Sequence, residues 1–286
     1  MPGFSGIREL VDASNDASFY ATWRKSPTQV TTQGVWYDLS MSPGNPVPQY
    51  YAASPMVAQT LSRSVNGGVP HAGNVSPAKK FLRRLTAMTT TATALPMPMM
   101  LLDYLMFYPF IDQGDTTEQL FDNTQLLTRY TTGAGVQIMP VVVGAQTGGQ
   151  TFQCSYTNQS GVAGRTTSTA AMTTAQSVNG TILTTARAQA GCAGPFLPLQ
   201  EGDTGVRSIE SVTCNGADVG LFTLVLVKPL AQLSIRGIDA PVELDFLRDF
   251  PAMPQIQDDA YLSFLCCPSG SLAATAIHGD ITVAWN

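Results

Sequence analysis

The chain has 286 residues, of which 44% are hydrophobic and only 12% charged, with a net charge of −5. Disorder is excluded, because it needs high net charge and few apolar groups, whereas this charged fraction is about half of the ~25% usual in globular proteins. The negative balance gives no electrostatic reason to bind a phosphate backbone or an anionic bilayer, so neither nucleic acid nor membrane is expected as a partner.

Ile7, Leu10 and Val11 have helical spacing and predict a short helix within 7–23, with a break at Ser14-Asn15-Asp16. The start, Met1-Pro2-Gly3-Phe4, lacks the charged and apolar regions of a signal peptide, so synthesis in a reducing cytoplasm is expected. From Ser42 to Ser76, Pro43-Gly44-Asn45-Pro46-Val47-Pro48 and Asn66-Gly67-Gly68-Val69-Pro70 favour extended or looping backbone. Residues 1–76 thus read as an extended, partly helical arm that needs a neighbour to lie on.

Residues 77–124 read as a helical connector. Ser76 suits an N-cap, Pro77 the first helical position, and apolar residues follow at helical spacing to Leu85. The basic cluster Lys79, Lys80, Arg83 and Arg84 is then either a solvated helix face or a patch for an acidic partner. The Met-rich run Met97–Phe107 reads as a buried helix. The apolar stretch Leu95–Phe110 contains Pro96, Pro98, Asp103 and Pro109 and falls short of the ~20 residues that span a bilayer.

From residue 125 onward the pattern changes to β-branched residues with a period of two. Strands are expected at 136–143 and 151–157 around Gly148-Gly149, then at 165–169, 181–185, 206–214, 220–227, 232–235, 260–266 and 281–285. Many short strands between polar turns make the fold mostly β, with an antiparallel β-sandwich or jelly-roll-like domain over 125–286 behind the arm. No repeat of 20 to 50 residues argues for a solenoid or propeller.

Chemistry-bearing residues are sparse. The two histidines, His71 and His278, both lie beside turn signals and read as turn residues. Five cysteines, Cys154, Cys192, Cys214, Cys266 and Cys267, have no C-x-x-C spacing and read as buried thiols, the adjacent pair facing opposite sides of a strand. Asp112, Asp115, Glu118 and Asp122 could form an acid pair or hard-cation site, but Asp115 or Thr116 capping a helical turn explains the same residues. Asp203 and Asp258-Asp259 read as turn residues bonding their own backbone. The phosphate-loop, dinucleotide, zinc-protease and nucleophile-elbow signatures do not occur, so no catalytic, cofactor-binding or metal-binding residue is assigned.

Four stretches, Arg129-Tyr-Thr-Thr-Gly-Ala-Gly-Val136, Ser155-Tyr-Thr-Asn-Gln-Ser-Gly-Val-Ala-Gly-Arg-Thr166, Pro198-Leu-Gln-Glu-Gly-Asp-Thr-Gly-Val-Arg-Ser208 and Cys267-Pro-Ser-Gly-Ser-Leu-Ala273, resemble virion structural proteins of tailed bacteriophages. The resemblance lies mainly over 125–286. It implies a noncatalytic capsid-shell or capsid-decorating subunit that associates with copies of itself and with other virion proteins, and it carries no catalytic residue. Low charge fits, since it lowers the desolvation cost of burying large faces between subunits. The alternatives are a tail-associated module recognising a host glycan, and a glycan hydrolase using Asp112, Asp115 or Glu118.

Overall fold

The computed structural model describes residues 3–51, 56–144, 146–173, 178–185, 194–249 and 252–286. Helix α1 spans Ile7–Asp16. The longer strands are β1 (Ser18–Lys25), β2 (Lys80–Thr89), β3 (Met97–Asp112), β4 (Gln137–Val142), β5 (Thr151–Asn158), β6 (Val206–Cys214), β7 (Leu221–Ile235), β8 (Val242–Asp245), β9 (Leu262–Cys266) and β10 (Ile277–Trp285). They form three antiparallel sheets in a sandwich-like arrangement, as the β-rich pattern predicts. The first has the order β8-β2-β10-β1 with Gly44–Asn45 at its edge. The second runs Tyr37–Asp38, β9, β3, β7, β4, and the third Arg165–Thr166, β5, β6, Gln119–Leu120. Among the described residues no helix is long and apolar enough to cross a membrane.

The second sheet is the spine. Its central strands β3 and β7 are 16 and 15 residues long and pair from Met97↔Ile235 to Asp112↔Leu221. At one end Met97, Met99, Leu101, Leu233 and Ile235 pack with Leu82, Leu85, Ile281 and Val283 of the first sheet. At the other end Met106, Tyr108, Phe222 and Leu224 pack with Phe152, Tyr156, Ile209 and Val212 of the third. The spine's opposite face holds a third cluster of Leu102, Tyr104, Phe107, Val225 and Val227 beneath Tyr51, Leu61 and Tyr261.

A β-bulge makes this arrangement possible. Met106 pairs with Leu226 and Tyr104 with Val227, leaving Leu105 as the extra residue. Such an insertion exchanges the two faces of the strand beyond it. Odd-numbered Met97, Met99 and Leu101 face the first core, and even-numbered Met106 and Tyr108 face the second.

Several expectations from the sequence are corrected here. The 77–124 connector is not helical: β2 and β3 occupy most of its length, with a 3-10 turn at Ala92–Ala94 between them. In β2 the helix-like start at Ser76-Pro77 is overruled because β8 and β10 pair with it on both sides, as tertiary pairing routinely overrides local propensity. In β3 both faces are buried, which erases the alternation that would mark a strand. Residues 181–185 form isolated bridges and a turn, and β4 and β5, expected around one glycine turn, belong to different sheets.

The first 76 residues are extended and partly helical as expected, yet they are not peripheral. Strand β1 pairs with β10 from Ser18↔Ala284 to Lys25↔Ile277. Trp23, 2% exposed, lies against Phe264 with ring centroids 4.1 Å apart, and Tyr37, Leu39 and Val69 join the same core. The Pro/Gly punctuation therefore marks irregular backbone bound to this chain's own sheets. Deleting residues before Pro77 should abolish the cooperative unfolding transition followed by circular dichroism. Trp23→Ala in the full chain should cost ~3–5 kcal/mol by urea denaturation, the usual range for deleting a buried large aromatic ring.

Candidate functional surface

Two features stand out on the surface, a polar groove and a set of uncovered apolar side chains. The groove lies on the outer face of the first sheet. Along β1, Ala21, Trp23 and Lys25 are buried, while Tyr20, Thr22 and Arg24 alternate outward. Register sets Thr22 beside Asp280 and Arg24 beside His278, with Asp245 and Glu243 of β8 flanking β2 opposite Arg84 and Thr86. Two open depressions of 800 and 460 Å³ share Thr22, His278 and Gly279 and form one groove across the strands.

Most charged groups of the larger depression are held by one another. Arg84 Nη2 lies 3.1 Å from Asp280 Oδ1, and its Nη1 is 3.8 Å from Glu243, which also lies 3.6 Å from Arg248. Thr86 Oγ1 donates to Asp280 Oδ2 at 2.5 Å and accepts from the Asp280 N–H at 2.9 Å. Arg83 pairs with Asp245. Gly279 is required here, since a Cβ would lie 2.0 Å from the Thr86 carbonyl oxygen.

Apolar side chains are exposed in groups. Ile7 and Val11, one turn apart on α1, both point to solvent while Leu10 and Ala13 face the protein. Val47 and Tyr50 are exposed on one segment and Val65, 83% exposed, on the short helix Arg63–Asn66; a hydrogen bond from Asn66 Nδ2 to Gln49 Oε1 at 3.3 Å brings the two segments together.

Inside, charged side chains anchor irregular backbone. Lys25 Nζ donates to the carbonyls of Pro46 at 2.9 Å and Ser42 at 3.1 Å, and burial lowers its pKa to about 8. Asp38 accepts from Tyr51 at 2.6 Å, Tyr104 at 2.7 Å and the Ser40 amide at 2.8 Å, and burial still raises its pKa. Asp103 receives Arg129 through two nitrogens, at 2.8 and 3.1 Å, and the Tyr261 amide; burial outweighs Arg129 and pushes it up to about 6. In the turn before β6, Asp203 accepts from Tyr156, Asn158 and Arg165 at 2.6, 2.7 and 2.9 Å, and Arg165 above all holds it at about 2.

The sequence-predicted candidates fall as follows. Asp112, Asp115 and Asp122 each accept an amide two residues ahead in a local turn, while Glu118 accepts from Ser211 Oγ at 2.6 Å. Asp115 thus caps a turn as expected, but Gln119 begins a short strand rather than a helix. Asp203 is no self-bonded turn residue; it ties three side chains together, and its partners lie too far away in sequence for spacing to reveal them. Among Lys79, Lys80, Arg83 and Arg84 only Lys79 is exposed; the others pair with Asp258, Asp245, and Asp280 with Glu243. Cys154, Cys214 and Cys266 are buried free thiols whose pKa values burial raises, Cys267 is half-buried, and Cys192 lies outside the described residues. Among the described residues no three His, Cys, Asp or Glu side chains cluster as a metal site.

Both histidine expectations are overturned. His278 lies in β10 and lines the groove. His71 is fully buried: its Nε2 donates to the Ala260 carbonyl at 2.8 Å, and its Nδ1 accepts from Lys80 Nζ at 3.2 Å. Burial first, then the Lys80 charge, lowers its pKa to about 4.

No family model matches this chain, and no curated protein sequence matches it. The resemblance to tailed-phage proteins therefore has no family match behind it. Among solved structures, the VP2 subviral particle of infectious bursal disease virus aligns at 10% identity and a TM-score of 0.18, over 94% of this chain and 80% of that one. The Gx strain of the same virus gives the same values. These neighbours are viral particle proteins, but that TM-score is far below the level at which two chains share a fold.

His71 and Asp103 act in opposite directions on stability in acid. His71 titrates lower in the folded chain than unfolded, so its contribution is complete above about pH 6.5 and is lost toward pH 4. Asp103 titrates higher when folded, so its contribution grows as pH falls through about 6 toward 4. In urea titrations His71→Gln should reduce the stability lost between pH 7 and pH 4.5 relative to the parent chain. An unchanged loss would show that His71 is not held neutral.

Proposed function

We propose that this protein is a noncatalytic structural component of a virus particle, a shell or shell-decorating subunit that works by associating with copies of itself and with other particle proteins. The observation that carries this reading is the grouped exposure of Ile7 with Val11 and of Val47 with Tyr50 and Val65. Single exposed apolar residues are ordinary, whereas grouped ones mark contact surfaces. Two non-equivalent patches matter more than one. A single self-complementary patch closes a dimer, but two different patches let a subunit contact several neighbours at once, as a shell requires.

The surface chemistry supports the same reading. Several ionised groups that could have kept the exterior solvated are spent on buried pairs and carbonyl cradles, and little desolvation opposes association over the rest. Production in a host cytoplasm accords with free, buried thiols.

Light scattering on the purified chain should give oligomers or particles at low micromolar concentration. Val11→Asp and Val65→Asp should each shift the distribution toward monomer. Both side chains are exposed, so thermal stability should change by no more than about 0.5 kcal/mol. A chain that stays monomeric at every concentration, with or without these substitutions, would overturn the proposal.

A further inference from the structure

We infer that the groove on the outer face of the first sheet is a binding site for a neutral oligosaccharide. This inference is independent of self-association, since it rests on a different surface. The groove combines an exposed aromatic ring, Tyr20, with the hydroxyl of Thr22 and planar polar groups of Arg84, Asp280 and Glu243. A sugar presents apolar C–H faces and a ring of hydroxyls that both donate and accept. A rigid amphipathic ring beside fixed planar donors and acceptors matches both requirements.

Charge decides against an ionic ligand along most of the groove. In the larger depression Arg84 lies between Asp280 and Glu243, and Arg248 between Glu243 and Asp249, so neither of these guanidiniums is left to neutralise an anion; Arg24 lines only the smaller depression. These ion pairs still hold their polar atoms in fixed directions, and hydrogen bonds made to charged groups are the stronger kind. Arg84 also keeps a buried Nε–H without a partner among the described residues. The two depressions, 800 and 460 Å³, lie in the size range of small-molecule sites, about 300–1,000 Å³, and their shared residues give the elongated outline that a chain of sugars needs. Substrate cleavage is not implied, because the groove's carboxylates are engaged by arginine and threonine.

The test uses the full chain and four probes: hexasaccharides of maltose, laminarin and chitin types as neutral chains, and an alginate hexasaccharide as the acidic one. Titration calorimetry should detect at least one neutral probe, with affinity unchanged when salt is raised. Tyr20→Ala should weaken it by about tenfold or more, and Asp280→Asn should weaken it likewise. Tyr20 is exposed, so its substitution should leave the melting temperature in place and separate lost binding from lost folding. No heat with any neutral probe at about 10 mM would overturn the inference. So would binding confined to the alginate probe and abolished by salt. If Tyr20→Ala disrupts oligomers without any sugar binding, the groove is a contact between copies, and the inference fails while the proposed structural role stands.

Discussion

The architecture depends on the pairing of β3 with β7. Two strands of about fifteen residues are long enough to carry two cores in succession, and a twisted pair of that length cannot be covered by a single sheet. The first and third sheets therefore take one end each. The extra residue at Leu105 keeps apolar side chains directed at both partners, because without it the alternation set by Met97, Met99 and Leu101 would turn Met106 and Tyr108 to the opposite face. Of the two other register shifts in this pairing, the one between Pro229 and Ala231 of β7 falls where proline removes a ladder donor.

The spine leaves its third cluster to be covered by chain with little regular structure, and the buried polar groups explain how that is achieved. Irregular backbone brings carbonyls and amides that no strand partner satisfies. Lys25 serves the carbonyls around residues 42–46, and Asp38 gathers Ser40, Tyr51 and Tyr104. Arg129 clamps its loop onto Asp103 and the Tyr104 carbonyl in the middle of β3. Such pairs add little net stability over an apolar packing, but each accepts only one arrangement of its partners, and removing one member leaves a buried charge. Lys80 and His71 do the same at the start of β2, where burial, with the ammonium beside it, keeps the imidazole neutral.

How much of this was legible in the sequence follows from the range of the interactions. Strand β6 was read at its observed limits, because alternation between turn signals is local information. Helix α1 was legible for the same reason, its break at Ser14-Asn15-Asp16 falling where the helix ends. The misreadings have a common cause: β3 is buried on both faces, so its apolar run has no period, and β2 becomes a strand only because distant β8 and β10 flank it. The groove was illegible for a related reason. Tyr20, Arg84, Glu243 and Asp280 come from four strands scattered over the whole chain, and no spacing rule connects them. His71 was misplaced because glycine and proline neighbours mark a turn without saying whether the turn is inside or outside.

Composition acquires a sharper meaning once the buried groups are located. A low charged fraction alone is compatible with an ordinary surface if every ionised group lies outside. Here Lys25, Asp38, Lys80, Asp103 and Arg129 are all buried, and on the outer face of the first sheet Arg84 is neutralised by Asp280 and Glu243. What remains to solvate the exterior is sparser than the sequence count suggests. Hydroxyl and amide groups can keep such a surface wet, but they provide little long-range repulsion between copies. The exposed apolar side chains of α1 and of Val47, Tyr50 and Val65 therefore lie on a surface with little charge of its own to hold a second surface away.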